Sequence, residues 1–465
     1  MISETLKAKL RPWQHSILEA SLSGMDTGNF LNASGLGSGK SFVSLATTYA
    51  RKRKPIFICR LAMKERMREI AVNHFGFADA DVCTTNIEAI RTGKHFLGSW
   101  TYGEAHPNTG KREKIFQWNV PSDADVIVDE IHSCSSMTSQ NSILLRSAVE
   151  QGVKLMGLSG TAADDPRRMR AIGYMLGLHS DYDFWGWMSL YGATEESWTF
   201  GLKPAYLETR KGREELERKR REAMAKIHQQ LIKAGRMVRL RTSDIPGFPK
   251  SSVHPMAVDF NSKEMASILE EMKFELAELK RKGTGRSQLE IMMRARQRSE
   301  LLMVPTLAEM ISDAIEEGNS VAMFLNFTAT IRALGERLKT NCFYTGEESV
   351  AERQHNHARY MADKERAILI NSAAGSESIG FQDEHGNYPR LGIVVPDFRA
   401  VMLNQILGRL PRDGAKTPST YWLIFPRGTV LHHAYLACQK RTELYGAFNG
   451  DITFTDDDLT AGLPI

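Results

Sequence analysis

Ser34-Gly35-Leu36-Gly37-Ser38-Gly39-Lys40-Ser41 lies between two stretches of different character. Ahead of it, Asn29-Phe30-Leu31-Asn32-Ala33 is a short run with an apolar centre, which predicts a buried strand. Behind it, Phe42-Val43-Ser44-Leu45-Ala46 predicts the start of a helix. A glycine-rich turn between strand and helix aims several backbone N–H groups into one small volume, and the helix N-terminus adds partial positive charge. Gly35, Gly37 and Gly39 leave room for phosphate oxygens that a Cβ would keep away, with Ser38 between them. Lys40 can then reach the outer phosphates of a nucleotide, and the Ser41 hydroxyl can hold Mg²⁺. Gly35 stands four residues before Gly39, where the strict form of this loop has five.

Three more segments follow in an order that suits the loop. Asp125-Val126-Ile127-Val128-Asp129-Glu130-Ile131-His132 is an apolar run ending in adjacent carboxylates. Ligands of a parallel α/β sheet sit at the carboxyl ends of its strands. Asp129 is therefore expected to face the metal on Ser41, and Glu130 to orient and deprotonate an attacking water. Leu155-Met156-Gly157-Leu158-Ser159-Gly160-Thr161-Ala162 predicts another strand, ending in small hydroxyl residues. In Gln405-Ile406-Leu407-Gly408-Arg409-Leu410-Pro411-Arg412 the two arginines stand three apart. On a helix they share a face and can clamp a transferring phosphoryl group.

Together these four segments resemble helicase superfamily 2, and the resemblance covers nearly the whole chain. It implies two RecA-like parallel α/β domains in tandem, and catalytic roles for Lys40, Asp129, Glu130, Gln405, Arg409 and Arg412. Leu10-Arg11-Pro12-Trp13-Gln14 resembles the adenine-reading segment that precedes the phosphate loop. Arg11 and Gln14 then join the nucleotide-binding set, and a Gln side chain can pair with the N6 and N7 edges of adenine. Pro55–Arg60 resembles the strand whose end touches the nucleic-acid backbone, which points to Arg60. Thr161, Asn326 and Ser372 are implied as further nucleic-acid contacts, and Gly380 as a nucleotide contact. Gly380-Phe381-Gln382-Asp383, with Gly386 and Pro389-Arg390 after it, is similar to strawberry-notch and viral helicases. Val238–Thr242, followed by Pro246 and Pro249, is similar to the arginine-rich turn between lobes of Snf-type translocases. Those families commonly carry Asp-Glu-Ala-His and Gly-Thr-Pro, whereas this chain has Ile131 and Ala162. Pro411 is a further departure.

At 465 residues and 42% hydrophobic content the chain is long enough for two or three domains with real cores. It has no run of eighteen apolar residues, and Met1–Leu10 is too polar for a secretory signal. Cys59, Cys83, Cys134, Cys342 and Cys438 form no metal-type spacing and suit a reducing compartment. A cytoplasmic location is expected. The formal charge is +5, and Arg210–Arg241 alone holds twelve Lys or Arg against four Glu. That stretch reads either as a solvated helix with internal Glu–Arg pairs or as a basic face along a phosphodiester backbone. Arg294, Arg296 and Arg298 form a second basic set after Lys280-Arg281-Lys282.

The expected organisation is a RecA-like ATP-binding domain over 1–178, a mainly helical, basic insertion and linker over 179–303, and a second RecA-like domain over 304–465. Tyr182, Phe184, Trp185, Trp187 and Tyr191 are expected to form a small core. ATP and Mg²⁺ are the expected cofactors, with ATP between the two RecA-like domains. DNA, single-stranded or duplex, is the expected partner, RNA stays open, and no membrane is involved. A working monomer is expected, with protein partners in replication, recombination or repair. A viral or mobile-element origin is suggested by analogy alone. The alternative to a motor is an ATP-switched DNA-binding or loading factor.

Overall fold

The apolar runs become two all-parallel sheets whose central strands are buried on both faces. The structure is a computed structural model and describes residues 2–449 except 106–111, 137, 161, 164, 194–199, 201, 259–261, 283–287 and 376–378. Thr161, the loop Gly283-Thr284-Gly285 and the acidic tail Asp456-Asp457-Asp458 lie outside the described residues. The chain divides into two compact units between Ile245 and Pro246, with residues 443–449 grouped with the first.

The first unit contains β1 (Phe30–Asn32), β2 (Lys54–Ile58), β3 (Cys83–Thr85), β4 (Gly98–Ala105), β5 (Arg112–Trp118), β6 (Ala124–Asp129), β7 (Leu155–Leu158) and β8 (Met237–Val238). Six of them form a sheet in the order β3-β2-β6-β7-β1-β8. Alternate residues serve opposite faces, the two-residue period of a strand. Leu31, Ile56, Val126 and Leu155 enter one core layer, and Phe30, Phe57, Ile127 and Met156 enter the other. β4 and β5 form a separate antiparallel hairpin that the sequence reading did not anticipate. Trp100 and Trp118 pack edge-on against the buried Phe116, at 5.2 and 5.0 Å between ring centroids.

The second unit contains β9 (Ser251–Val258), β10 (Ser320–Leu325), β11 (Phe343–Tyr344), β12 (Ala367–Asn371), β13 (Arg390–Val394) and β14 (Ser419–Pro426). Their order is β11-β12-β10-β13-β14-β9, again all parallel. This is the expected pair of RecA-like α/β folds.

The stretch 179–303 divides between the units. Its long helix Arg210–Lys233 sends Ala223, Met224, Ile227 and Leu231 into the first core. Its later helices, Ser262–Lys282 and Gln288–Leu302, belong to the second unit. Of the aromatic cluster, Phe184 and Trp187 are buried in the first core, Trp185 and Tyr191 pack against it, and Tyr182 is 97% exposed. None of the five cysteines is in a disulfide. Among the described residues no helix is long and apolar enough to cross a membrane.

Candidate nucleotide-binding site

β1 ends at Asn32, and its side chain shapes the turn that follows. Asn32 Oδ1 accepts the Ser34 N–H at 3.1 Å. Gly37 and Gly39 then take φ of 79° and 83°, the left-handed region that favours glycine. Gly39 caps the helix Lys40–Ala50 without any side-chain hydrogen bond. The first N–H groups of that helix therefore face the turn. Lys40 Nζ folds over the loop and donates to the carbonyls of Ser34 and Gly35 at 2.9 and 3.0 Å. Ser38 Oγ donates to Gly35 O at 2.8 Å and closes the loop on itself.

Gln14 is fixed against this loop. Its Nε2 donates to Ser38 O at 3.0 Å, and its Oε1 accepts the Arg11 N–H at 3.0 Å. A Cβ on Gly39 would push the Gln14 carboxamide from its bond to Ser38 O. The segment after β8 backs the other side. Gly35 N–H donates to Leu240 O at 2.9 Å, and Leu240 N–H donates to Ser34 Oγ at 3.1 Å. Arg239 donates to Ala33 O, and burial followed by the nearby Arg241 pushes its guanidinium down to about 9.

β6 delivers Asp129 and Glu130 to the same end of the sheet. Glu130 sits at φ 51°, an uncommon conformation for a side-chain-bearing residue, and its N–H donates to Asp129 Oδ1 at 3.1 Å. His132 Nδ1 lies 3.2 Å from Glu130 Oε2 and 3.2 Å from Ser159 Oγ, so it links β6 to the end of β7. Burial, then the charge on Glu130, pushes Asp129 up to about 7 against the pull of Lys40 and Arg60. Burial also opposes a charge on Glu130, yet the His132 bond, with Lys40 and Arg60 behind it, holds it down at about 2. Lys40, Arg60, Asp129 and Glu130 thus share one electrostatic neighbourhood. Ser41 and Asp129 offer a hydroxyl and a carboxylate, hard oxygens that suit Mg²⁺.

The departure at Ile131 has a local compensation. Ile131 is fully buried and lies over Gly157 of β7, where a Cβ would come within 2.6 Å of its Cδ1. The missing side chain at 157 makes room for the larger residue at 131.

In the second unit the helix Ala400–Leu407 carries Gln405, which is 2% exposed. Arg409 and Arg412 are expected on one helix face, but the helix stops before them. Gly408 caps it, and Leu410 gives its N–H to the Tyr421 hydroxyl at 3.0 Å. Pro411 removes a donor and disfavours the helical region for Leu410. The turn still brings the arginines to Gly380. Arg409 Nη1 donates to Ile379 O at 3.4 Å, and a Cβ on Gly380 would lie 2.8 Å from Arg412 Cδ. The helix Val350–Met361, started by a Ser349–Glu352 capping box, sets His357 Nε2 2.6 Å from Gly380 O.

Asn326 and Ser372, both implied as nucleic-acid contacts, lie at the ends of β10 and β12 in the second unit. Asn326 Nδ2 donates to Glu300 Oε2 at 2.8 Å and to Val395 O at 3.0 Å. Ser372 is 1% exposed. Much of the expected basic surface is also internally paired. Arg210 bonds Glu214, Arg218 bonds Glu222, Arg220 bonds Glu217, and Lys219 donates to Phe200 O. Arg294 and Arg298 pair with Glu275 and Glu271 of the neighbouring helix, and Arg296 is buried against Asp397.

Sequence reasoning left His132, Ser159, Asn32, Arg239, Glu300 and His357 out of the site. His132, Ser159, Asn32 and Arg239 had a signal, since all four lie within motif-bearing segments. Glu300 and His357 become visible only in the folded chain.

These features define an α/β protein of RecA-like architecture. No family model matches the chain. Over 407 residues, 83% of the chain and 73% of the relative, it is 27% identical to a protein of Acanthamoeba polyphaga mimivirus named "Putative ATP-dependent RNA helicase". That similarity supports assignment to helicase superfamily 2.

Proposed function

We propose that this protein is an ATP-dependent nucleic-acid helicase or translocase. The observation that carries the reading is the convergence at one sheet end of the Gln14-braced phosphate loop, Lys40 and the Asp129–Glu130 pair. The mimivirus relative, by its name, supports ATP use and nucleic-acid binding.

In this reading the loop N–H groups and Lys40 bind the phosphates, with Arg11 and Gln14 at the base. Gly35, Gly37, Ser38, Gly39 and Ser41 complete the cradle. Mg²⁺, held by Ser41 and Asp129, would neutralise charge on the phosphate oxygens. Glu130, kept ionised by His132, accepts from the attacking water and orients it. Arg409 and Arg412, presented beside Gly380, supply positive charge for phosphoryl transfer, with Gln405 on the helix that leads to them. Arg60 serves the nucleic-acid backbone, and binding to backbone is strongly salt-dependent.

DNA is the main substrate reading, from the likeness to Snf-type and strawberry-notch enzymes. RNA is the second, favoured by the name of the relative. Steady-state ATPase with single-stranded DNA, duplex DNA, forked DNA and RNA side by side tests both. Stimulation by one class identifies the substrate. Hydrolysis without stimulation by any would favour the ATP-switched loading factor.

A further inference from the structure

We infer that the helix Gln288–Leu302 is a strut that positions the arginine-bearing segment of the second unit, with Arg296 and Glu300 as its positioning residues. The inference rests on the proposed role of Arg409 and Arg412 for its link to turnover.

Arg296 and Glu300 stand four apart and share a helix face. Both are buried, at 4% and 0% exposure. Each is tied to a different strand end. Glu300 receives the N–H groups of Asn326 and Phe327, each at 3.1 Å, and the Asn326 carboxamide at 2.8 Å. Asn326 follows β10 and is itself a hub. Its Nδ2 also donates to Val395 O after β13, and its carbonyl accepts from Asn371 at the end of β12. Three adjacent strand ends are therefore joined through Asn326, which the Glu300 carboxylate holds in place.

Arg296 Nη2 lies 2.7 Å from Asp397 Oδ1, and its guanidinium sits 5.6 and 5.3 Å from the ring centroids of Phe327 and Phe398. Asp397 also accepts the Phe398 N–H at 2.6 Å and Arg399 Nε at 2.5 Å. Arg399 is the N-cap of the helix Ala400–Leu407. Asp397 thus fixes the first turn of the helix that holds Gln405 and leads to Arg409 and Arg412. A second face of the strut, through Arg294 and Arg298, is tied to Glu275 and Glu271 of the helix Ser262–Lys282. The strut thus ties that helical pair to the arginine segment, through partly exposed ion pairs on one face and the buried Arg296–Asp397 pair on the other. A buried ion pair is a poor source of net stability but a good fixer of geometry, because any other arrangement leaves a charge unpaired.

The test uses the full chain with Arg296→Met, Asp397→Asn, the double variant, Glu300→Gln and Arg296→Lys. Nucleic-acid-stimulated kcat per folded molecule should fall about 10-fold or more in the first three. Nucleotide Kd, measured with a fluorescent ATP analogue, should stay within about threefold. The double variant should be no worse than the worse single, since both break one link. Arg296→Lys should recover part of the rate. Amide hydrogen exchange supplies a readout independent of turnover. Exchange over 396–412 should rise selectively in Arg296→Met, while 30–45 of the first unit stays unchanged. A kcat within twofold of wild type, or exchange that rises uniformly, would overturn the inference. A wild type that does not hydrolyse ATP would refute the proposed function, and the exchange pattern alone would then decide the strut.

Discussion

Replacing Gly157 by Ala tests the contact that lets this chain carry Ile131 beside its paired carboxylates. The new Cβ would stand 2.6 Å from Ile131 Cδ1 and 3.3 Å from its Cγ2. Carbon atoms in ordinary contact are about 3.5–4.0 Å apart, so roughly 1 Å must be found. Ile131 is fully buried and has little space to retreat into. Overpacking of this kind costs about 1–3 kcal/mol. Alanine is better than glycine inside a strand by about 0.5–1 kcal/mol. The net loss is then about 0–2.5 kcal/mol, which lowers the melting temperature of a unit this size by up to roughly 10 °C. Ile131→Ala alone leaves a cavity and costs about 2–5 kcal/mol. In that background the same Gly157→Ala change loses both Ile131 clashes and keeps an ordinary contact with Leu31 Cδ1 at 3.4 Å. It should become neutral or stabilising by about 0.5–1 kcal/mol, the strand preference now acting unopposed. The assay is a double-mutant cycle by thermal and urea unfolding. The reasoning is refuted if Gly157→Ala costs the same with Ile131 and with Ala at 131. Because Ile131 lies between Glu130 and His132, ATPase of the rescued double variant also reports whether the repaired packing restores the site.

Glu130→Gln should keep the shape of the site and bind ATP, while kcat falls about 10²-fold or more; wild-type turnover in a folded variant would remove Glu130 from the mechanism. Lys40→Ala should weaken nucleotide binding or its turnover, read by titration with a fluorescent ATP analogue and by steady-state ATPase. Arg412→Ala should leave ATP binding largely intact and cost about 10³-fold in the stimulated rate, with poor rescue by Arg412→Lys, whose point charge lacks the planar fork; equal stimulation in wild type and variant would exclude the role. Burial pushes Glu300 up to about 7, against its bonds from Asn326 and Phe327. The folded chain therefore keeps a proton that the unfolded chain gives up from about 4.5 onward. Stability should fall as pH rises from about 4.5 to 7, by up to about 3 kcal/mol, and then level off. Glu300→Gln should remove that slope, which melting curves at pH 5.5 and 8 would reveal.

The phosphate loop, the carboxylate pair and the two parallel sheets were legible in the sequence because each rests on neighbours in the chain. Strand, turn and helix around Lys40 are one continuous segment, and the glycines that permit the turn are written beside the lysine that uses it. Gln14 was expected to read adenine, and what the fold adds is that its carboxamide grips the carbonyl of Ser38, twenty-four residues on. The basic character of Arg210–Arg241 was equally plain, but composition does not say where a charge goes. The fold pairs Arg218 and Arg220 with glutamates of their own helix, and it buries Arg296 against Asp397. Arg409 and Arg412 kept the right spacing for a helix face, yet the Tyr421 hydroxyl, from a strand further along, takes the Leu410 N–H and ends the helical run. What Asn326 bonds to within the fold could not be read from the sequence, because its partners, Glu300 and Val395, lie 26 and 69 residues away. Local backbone geometry and hydrophobic period act over a few residues and can be read along the chain. The partners of buried polar groups are chosen when distant strand ends meet, because each must find its donor or acceptor once water is gone, and only the folded chain settles which one it finds.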